Sequence, residues 1–269
     1  MLFRRISIHV KDQNWFAVGL DFFIVVAGIL IAFQITEWDA ERQNKASEKN
    51  YLERLHGDII VLSEQRWLYD FRRPVVNDVI EQLTDFLDGD ILELSKAESL
   101  YQDAITTEEL TPRRLKSMVC QTLDWSSAFT IPPANLPTAT ELVSAGHLER
   151  IQSSEIRKAI LSYMQDVARA EDYTNAVAEK SVRMSLEFPD YFTIRYPNEK
   201  IEDGEANPEF RCNYNAMRGD NKFLNAINKN RDAYKDYTDV GVIPVGKKLA
   251  ELRHAVENEL GILHETTEE

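Results

Sequence analysis

The chain has 269 residues, 43% of them apolar, and a formal charge of −14. That charge is unevenly spread: +2 through Trp15, −1 at Asp21 and −15 beyond. A surface this acidic repels phosphate backbones and anionic headgroups, which argues against nucleic acid and peripheral lipid as partners and favours cations or basic ones.

From Phe16 to Thr36 the sequence reads FAVGLDFFIVVAGILIAFQIT with a single charge. At about 1.5 Å per residue this run spans roughly 31 Å, one bilayer crossing. Trp15 and Trp38 flank it, as amphipathic rings do at membrane interfaces. A cleaved signal peptide is the competing reading, because Arg4, Arg5 and Lys11 precede the run. The run is longer than the usual signal core, however, and Gln34 to Arg42 offers no small-x-small cleavage pattern, so an anchor is favoured. Every later apolar stretch is broken by charge. The expected layout is a cytoplasmic tail at 1–15, a transmembrane helix at 16–36, a helical domain at 37–262 and a disordered tail at 263–269. Basic residues on the two flanks match in number: Arg4, Arg5 and Lys11 against Arg42, Lys45 and Lys49. The acidic flank of Glu37, Asp39 and Glu41 and the short basic tail favour a domain outside the cytoplasm.

Within the anchor, Asp21 is a carboxylate that mid-bilayer would penalise by on the order of 3 kcal/mol, which points to a partner helix, a cavity or a proton path. The plainer reading sets it at headgroup level and leaves Phe22 to Thr36 in hydrocarbon. Gly28 and Ala32 form a small-xxx-small pair that lets helix backbones approach, and at 100° per residue they share a face with Asp21. Chance alone also produces such spacing.

Beyond the membrane, Ala40 to about Arg72 reads as a helix continuing from the anchor, with Leu52, Leu55, Ile59 and Leu62 at alternating spacings of 3 and 4. The stripe lasts barely two heptads, with Lys45, Glu48 and Arg66 at the extrapolated positions, so a bundle core face is preferred to a coiled coil. Pro74 fits the start of a second helix carrying Val76, Val79, Ile80, Leu83 and Phe86, which Asp88-Gly89-Asp90 ends. Helical patterns follow at Lys96 to Ala104 and at Arg113 to Leu123, then a Pro-rich connection from Trp125 to Pro137. Ser153 or Ser154 can cap a long helix with Ile156, Ile160, Tyr163, Val167, Ala170 and Val177, running until Pro189. A last helix starts at Pro244, presents Val245, Leu249, Leu252 and Val256, and closes at Gly261. The fold class is therefore mainly all-α: one transmembrane helix continuing into a bundle-like domain.

Glu187 to Asp220 shows no sustained period and reads as an unusually long irregular loop. Its Phe188, Tyr191, Phe192, Tyr196, Phe210 and Tyr214 could line a ligand pocket or a partner surface. The preferred reading is that they pin the loop onto the bundle. Cys120 and Cys212 either form a disulfide, as an oxidising compartment would permit, or remain two buried thiols. Neither has a second metal ligand at CxxC or CxxH spacing. The sequence contains no GxSxG, HExxH, P-loop or GxGxxG motif, and the five histidines are scattered. Neither a cofactor nor a metal is expected, and no catalytic residue is nominated.

The stretch Gly28 to Ile35 (GILIAFQI), with Trp38, Glu41-Arg42 and Tyr51 to Leu55 (YLERL), resembles the start of a bacterial family known only as domain of unknown function 6090. A later stretch, Leu142 to Met164 (LVSAGHLERIQSSEIRKAILSYM), is similar to a segment of that family. The resemblance implies a bacterial single-pass protein of the inner membrane, and it implies no activity, substrate or catalytic residue.

The leading expectation is a non-enzymatic component of a membrane assembly. It would contact the bilayer through residues 16–36, and pair with itself or with another membrane protein through Asp21, Gly28, Ala32 and the helical domain. The alternative is an extracytoplasmic ligand-binding or sensory module built on the aromatic loop. Analogy of layout alone adds a proton-driven transducer subunit.

Overall fold

The computed structural model describes residues 15–104, 110–196 and 208–262, with side chains from Gly19 onward. Of the tail expected at 1–15, residues 1–14 lie outside the described residues and Trp15 is helical, and the tail expected at 263–269 also lies outside the described residues. The chain is mainly helical, and it divides into two compact units, Met1–Leu52 and Glu53–Glu269.

Helix α1 (Trp15–Asp70) includes the apolar run and the stripe that follows it. In the first unit its window of mean hydropathy 2.1 is long and apolar enough to cross a membrane, and none of that window is buried. Phe22, Phe23, Ile24, Ile29, Ile31 and Phe33 all stand exposed. Side chains apolar on every side of a helix suit a medium that is itself apolar.

In the second unit the stripe turns inward: Leu55, Ile59 and Leu62 are buried, and so is Arg66. Phe71 breaks the helix, and α2 starts at Arg72 rather than at Pro74, ending at Asp88 (Arg72–Asp88). Gly89 adopts φ 92°, and Asp90 N–H donates to Asp85 O at 2.9 Å, so the expected turn is a left-handed helix cap. Next come α3 (Ser95–Ala104) and α4 (Pro112–Trp125). Thr111 caps α4 by accepting from Arg114 N–H, with Pro112 in the first turn. The Pro-rich connection leads into α5 (Pro137–Ser144). Gly146 (φ 68°) closes α5, with His147 N–H donating to Leu142 O at 2.8 Å. Helix α6 (Ser154–Ala178), capped by Ser153, ends well before Pro189, because the chain turns at Glu179 to Ser181.

The segment expected to be irregular is instead organised. A short helix α7 (Met184–Glu187) and a 3-10 turn lead into β1 (Phe192–Arg195), which pairs antiparallel with β2 (Glu209–Cys212); Phe192 sits opposite Cys212 and Ile194 opposite Phe210. Each strand has only four residues, too few for an alternating pattern to stand out from a loop. Helix α8 (Tyr214–Arg218) follows, then α9 (Asn221–Asp236), a helix the periodicity argument did not single out. Its apolar face, Phe223, Ile227 and Tyr234, is interrupted by Asn230, which is buried because Ser126 Oγ and the backbone of Val182 satisfy its amide. A π-helical turn (Tyr237–Val242) joins α9 to α10 (Ile243–Leu260).

The main core lies among α2, α3, α4 and α9 around Leu83, Tyr101, Leu123, Met184 and Phe223. A second cluster gathers Val76, Ile80, Val177, Tyr234, Tyr237 and Val242. Helix α6 packs along α10 and the π turn. Arg66 ties these parts together: it is fully buried and donates to both oxygens of Asp70 (2.7 and 3.1 Å), to Pro133 O (2.9 Å) and to Val242 O (3.2 Å). Gly246 permits this approach, since a Cβ there would lie 2.7 Å from Asp70 Oδ1.

Candidate functional site

In the first unit Asp21, Gly28 and Ala32 all lie on the exposed surface of α1, and a Cβ on Gly28 would meet nothing within 4 Å. Spacings of 7 and 4 residues keep the three within about 40° of one another around the axis. Thr36 Oγ1 donates to Ala32 O at 2.9 Å, satisfying the hydroxyl inside the apolar run. What this face offers chemically is close backbone approach beside one carboxylate.

In the second unit the aromatic residues of 187–220 separate into two groups. Phe188, Tyr191 and Phe192 surround Phe223 of α9, with ring centroids 5.1, 5.5 and 6.4 Å from it. Tyr191 also donates its hydroxyl to Asp220 Oδ2 at 2.9 Å, and that bond holds its phenol pKa above the ordinary value. These rings fasten the hairpin to the bundle. Tyr196 stands exposed. Phe210 and Tyr214, by contrast, line a cavity of about 700 Å³ between the first turns of α4 and strand β2.

Several links fix that cavity. Cys120 on α4 and Cys212 on β2 are joined by a disulfide, with Cα atoms 5.7 Å apart. Phe210 N–H donates to Ser117 Oγ at 2.9 Å. At the rim, Arg113 Nε and Arg211 Nε both donate to Glu209 Oε1, at 2.9 and 3.0 Å. The Arg113 bond, supported by Arg211, lowers the Glu209 carboxyl to about 2. Lys116 lines the same rim and, among the described residues, meets no carboxylate at ion-pair distance. Burial pushes the Tyr214 phenol well above its usual range, so it stays a neutral hydrogen-bonding group. The cavity thus offers an apolar wall (Leu94, Val119, Phe210) and a rim with three cations against Glu98 and Glu209.

This arrangement suits binding an amphipathic anion. Among the described residues no three His, Cys, Asp or Glu side chains converge as a metal site would need. Ser185 N–H and Oγ both donate to Asp124 Oδ1, at 3.2 and 2.5 Å, and this pair ties the start of α7 to the end of α4.

The sequence reading did not single out the rim residues. Arg113 and Lys116 are three apart on one helix face, and Glu209 and Arg211 alternate along one strand, but those signals require the hairpin to be recognised first. No protein-family model, no curated protein and no solved structure matches the chain.

Proposed function

We propose that this chain is a single-pass, membrane-anchored component of a membrane assembly that works by association rather than catalysis. Residues 16–36 would sit in the bilayer, with the helical unit on the extracytoplasmic side. The observation carrying this reading is the unburied apolar window of α1. Each of its Phe, Ile, Leu and Val side chains gains on the order of 1.5–3 kcal/mol on leaving water, so the helix must be covered by lipid or by other helices. The Cys120–Cys212 bond supports an oxidising compartment for the second unit. Membership of the domain of unknown function 6090 family remains part of the proposal, and with it a bacterial inner membrane.

The test is isolation of the full-length chain from its native membrane in mild detergent, wild type beside Asp21→Asn, Gly28→Leu and Ala32→Leu. The expected result is a stoichiometric complex that the substitutions weaken. A solitary chain, or a complex unchanged by all three, would defeat the association face.

A second reading, an extracytoplasmic ligand module, is favoured by the cavity beside the disulfide. A small amphipathic carboxylate that raises the melting temperature of the full chain, and fails to do so in Lys116→Glu, would support it.

A further inference from the structure

The distal end of α1, within the second unit, carries an exposed apolar stripe. Val61, Trp67, Leu68 and Phe71 are 55%, 52%, 49% and 42% exposed, and the Trp67 and Phe71 rings stack with centroids 5.5 Å apart. Over ten residues the stripe runs roughly 15 Å. Scattered single apolar residues on a surface need no explanation, but a stacked aromatic pair beside an exposed leucine does.

Leu68 also belongs to a second feature, a cleft of about 240 Å³ lined by Leu68, Tyr69, Arg72, Arg73, Val76 and Trp125. Arg73 is half-buried there, yet its partners are all neutral. Its guanidinium donates to Tyr234 Oη (3.1 Å), Thr130 Oγ1 (3.1 Å) and Ala128 O (3.4 Å) and lies 5.6 Å from the centre of the Tyr69 ring. Beside it Arg72 is exposed and, among the described residues, has no hydrogen bond or ion pair. A partly desolvated guanidinium without a carboxylate is unusual, because an opposite charge would offset the cost of removing water. It is more so in a chain with 45 acidic against 31 basic side chains, where a counter-ion is easily supplied. Trp, Tyr and Arg are also the residues that dominate binding energy at protein interfaces.

We propose that the stripe and the Arg72–Arg73 cleft form one docking surface for a partner-protein segment presenting apolar side chains beside a carboxylate. The apolar side chains cover Trp67, Leu68 and Phe71, and the carboxylate enters the cleft to meet the two guanidiniums. The cleft is sized for one acidic side chain rather than a whole metabolite. A second copy of this chain fits less well, since a two-fold contact sets the patch against itself and brings guanidiniums together. This inference rests on the assembly reading and names the partner's chemistry.

The experiment places a photo-cross-linking amino acid at position 68 of the full-length chain in its native membrane. Position 92 serves as control, since Leu92 is 85% exposed in the same unit. The expected result is one adduct at 68, absent at 92, mapping to a segment of another protein with Asp or Glu adjacent to apolar residues. Arg72→Glu, at an exposed side chain that makes no hydrogen bond or ion pair among the described residues, lowers its yield about tenfold or more, as like charges across an interface should. No adduct above control, an adduct to lipid or to a second copy, or a yield indifferent to Arg72→Glu overturns the proposal. The complex isolated in mild detergent separates the two readings. Its survival without a position-68 adduct removes this surface alone, whereas a solitary chain removes both.

Discussion

Breaking the Cys120–Cys212 bond should destabilise the second unit substantially, and the size follows from the topology. The bond closes a loop of 92 residues, from α4 to β2. In the chain-entropy treatment, a cross-link of that span removes about 4–5 kcal/mol of freedom from the unfolded state. For a unit of this size each kcal/mol moves the melting temperature by about 2–4 °C, so reduction should lower it by about 8–20 °C. The measurement is thermal unfolding of the full chain in mild detergent, with and without reductant, beside a Cys120→Ala/Cys212→Ala variant whose transition reductant should not move. Hydrogen exchange should locate the loss at β1, β2 and the cavity wall. Once the bond is cut, Phe210 N–H to Ser117 Oγ and Arg113 to Glu209 still link β2 to α4. A wild-type shift below about 3 °C would refute the loop-closure reasoning, because the unfolded chain would then already hold α4 and β2 close together.

Two other predictions concern groups away from the cavity. Arg66→Met removes the guanidinium that satisfies Asp70, Pro133 O and Val242 O. With Asp70 partly exposed, the cost should be about 2–4 kcal/mol, seen as a lower urea midpoint at unchanged slope. Burial raises the phenols of Tyr101 and Tyr163 from 10.0 to about 12. A folded-state pKa raised above the unfolded one contributes stability that is complete below pH 10 and is lost as pH climbs to 12. Alkaline unfolding in that window, weakened by Tyr101→Phe, is the expected outcome, and unchanged stability up to pH 12 contradicts it.

What the sequence disclosed, and what it withheld, follows from where each signal resides. The apolar run of α1 is legible because a bilayer-length stretch with one charge has few alternatives, and the faces of α2, α6 and α10 are legible because a helix repeats its burial every three or four residues. Helix α9 escaped because its buried side includes Asn230, whose acceptability depends on Ser126 and Val182, remote in sequence. The hairpin escaped because four-residue strands carry too few alternations, and the cavity escaped with it, since Arg113 and Glu209 are 96 positions apart. The aromatics of 187–220 were recognised as a group, but only the third dimension separates Tyr191 and Phe192, which clasp Phe223, from Phe210 and Tyr214, which line the cavity beside the disulfide.

The two arginines seven residues apart near the end of α1 show the same division in function. From sequence, Arg66 interrupts an apolar stripe, and Arg73 follows a helix break; neither invites attention. Folded, both leave bulk water to different degrees and solve the cost differently. Arg66 finds Asp70 one turn along its own helix, so its charge is neutralised internally and its role is to hold the end of α1 against the chain at Pro133 and Val242. Arg73 finds only hydroxyls, a carbonyl and a ring, so its positive charge remains uncompensated at the edge of a cleft. A neutral set satisfies the donors of a guanidinium without cancelling its field. The remaining field is strongest beside the exposed Trp67, Leu68 and Phe71. Whatever covers those rings therefore gains most if it brings a carboxylate with it, which is why the charge and the apolar stripe belong to one surface.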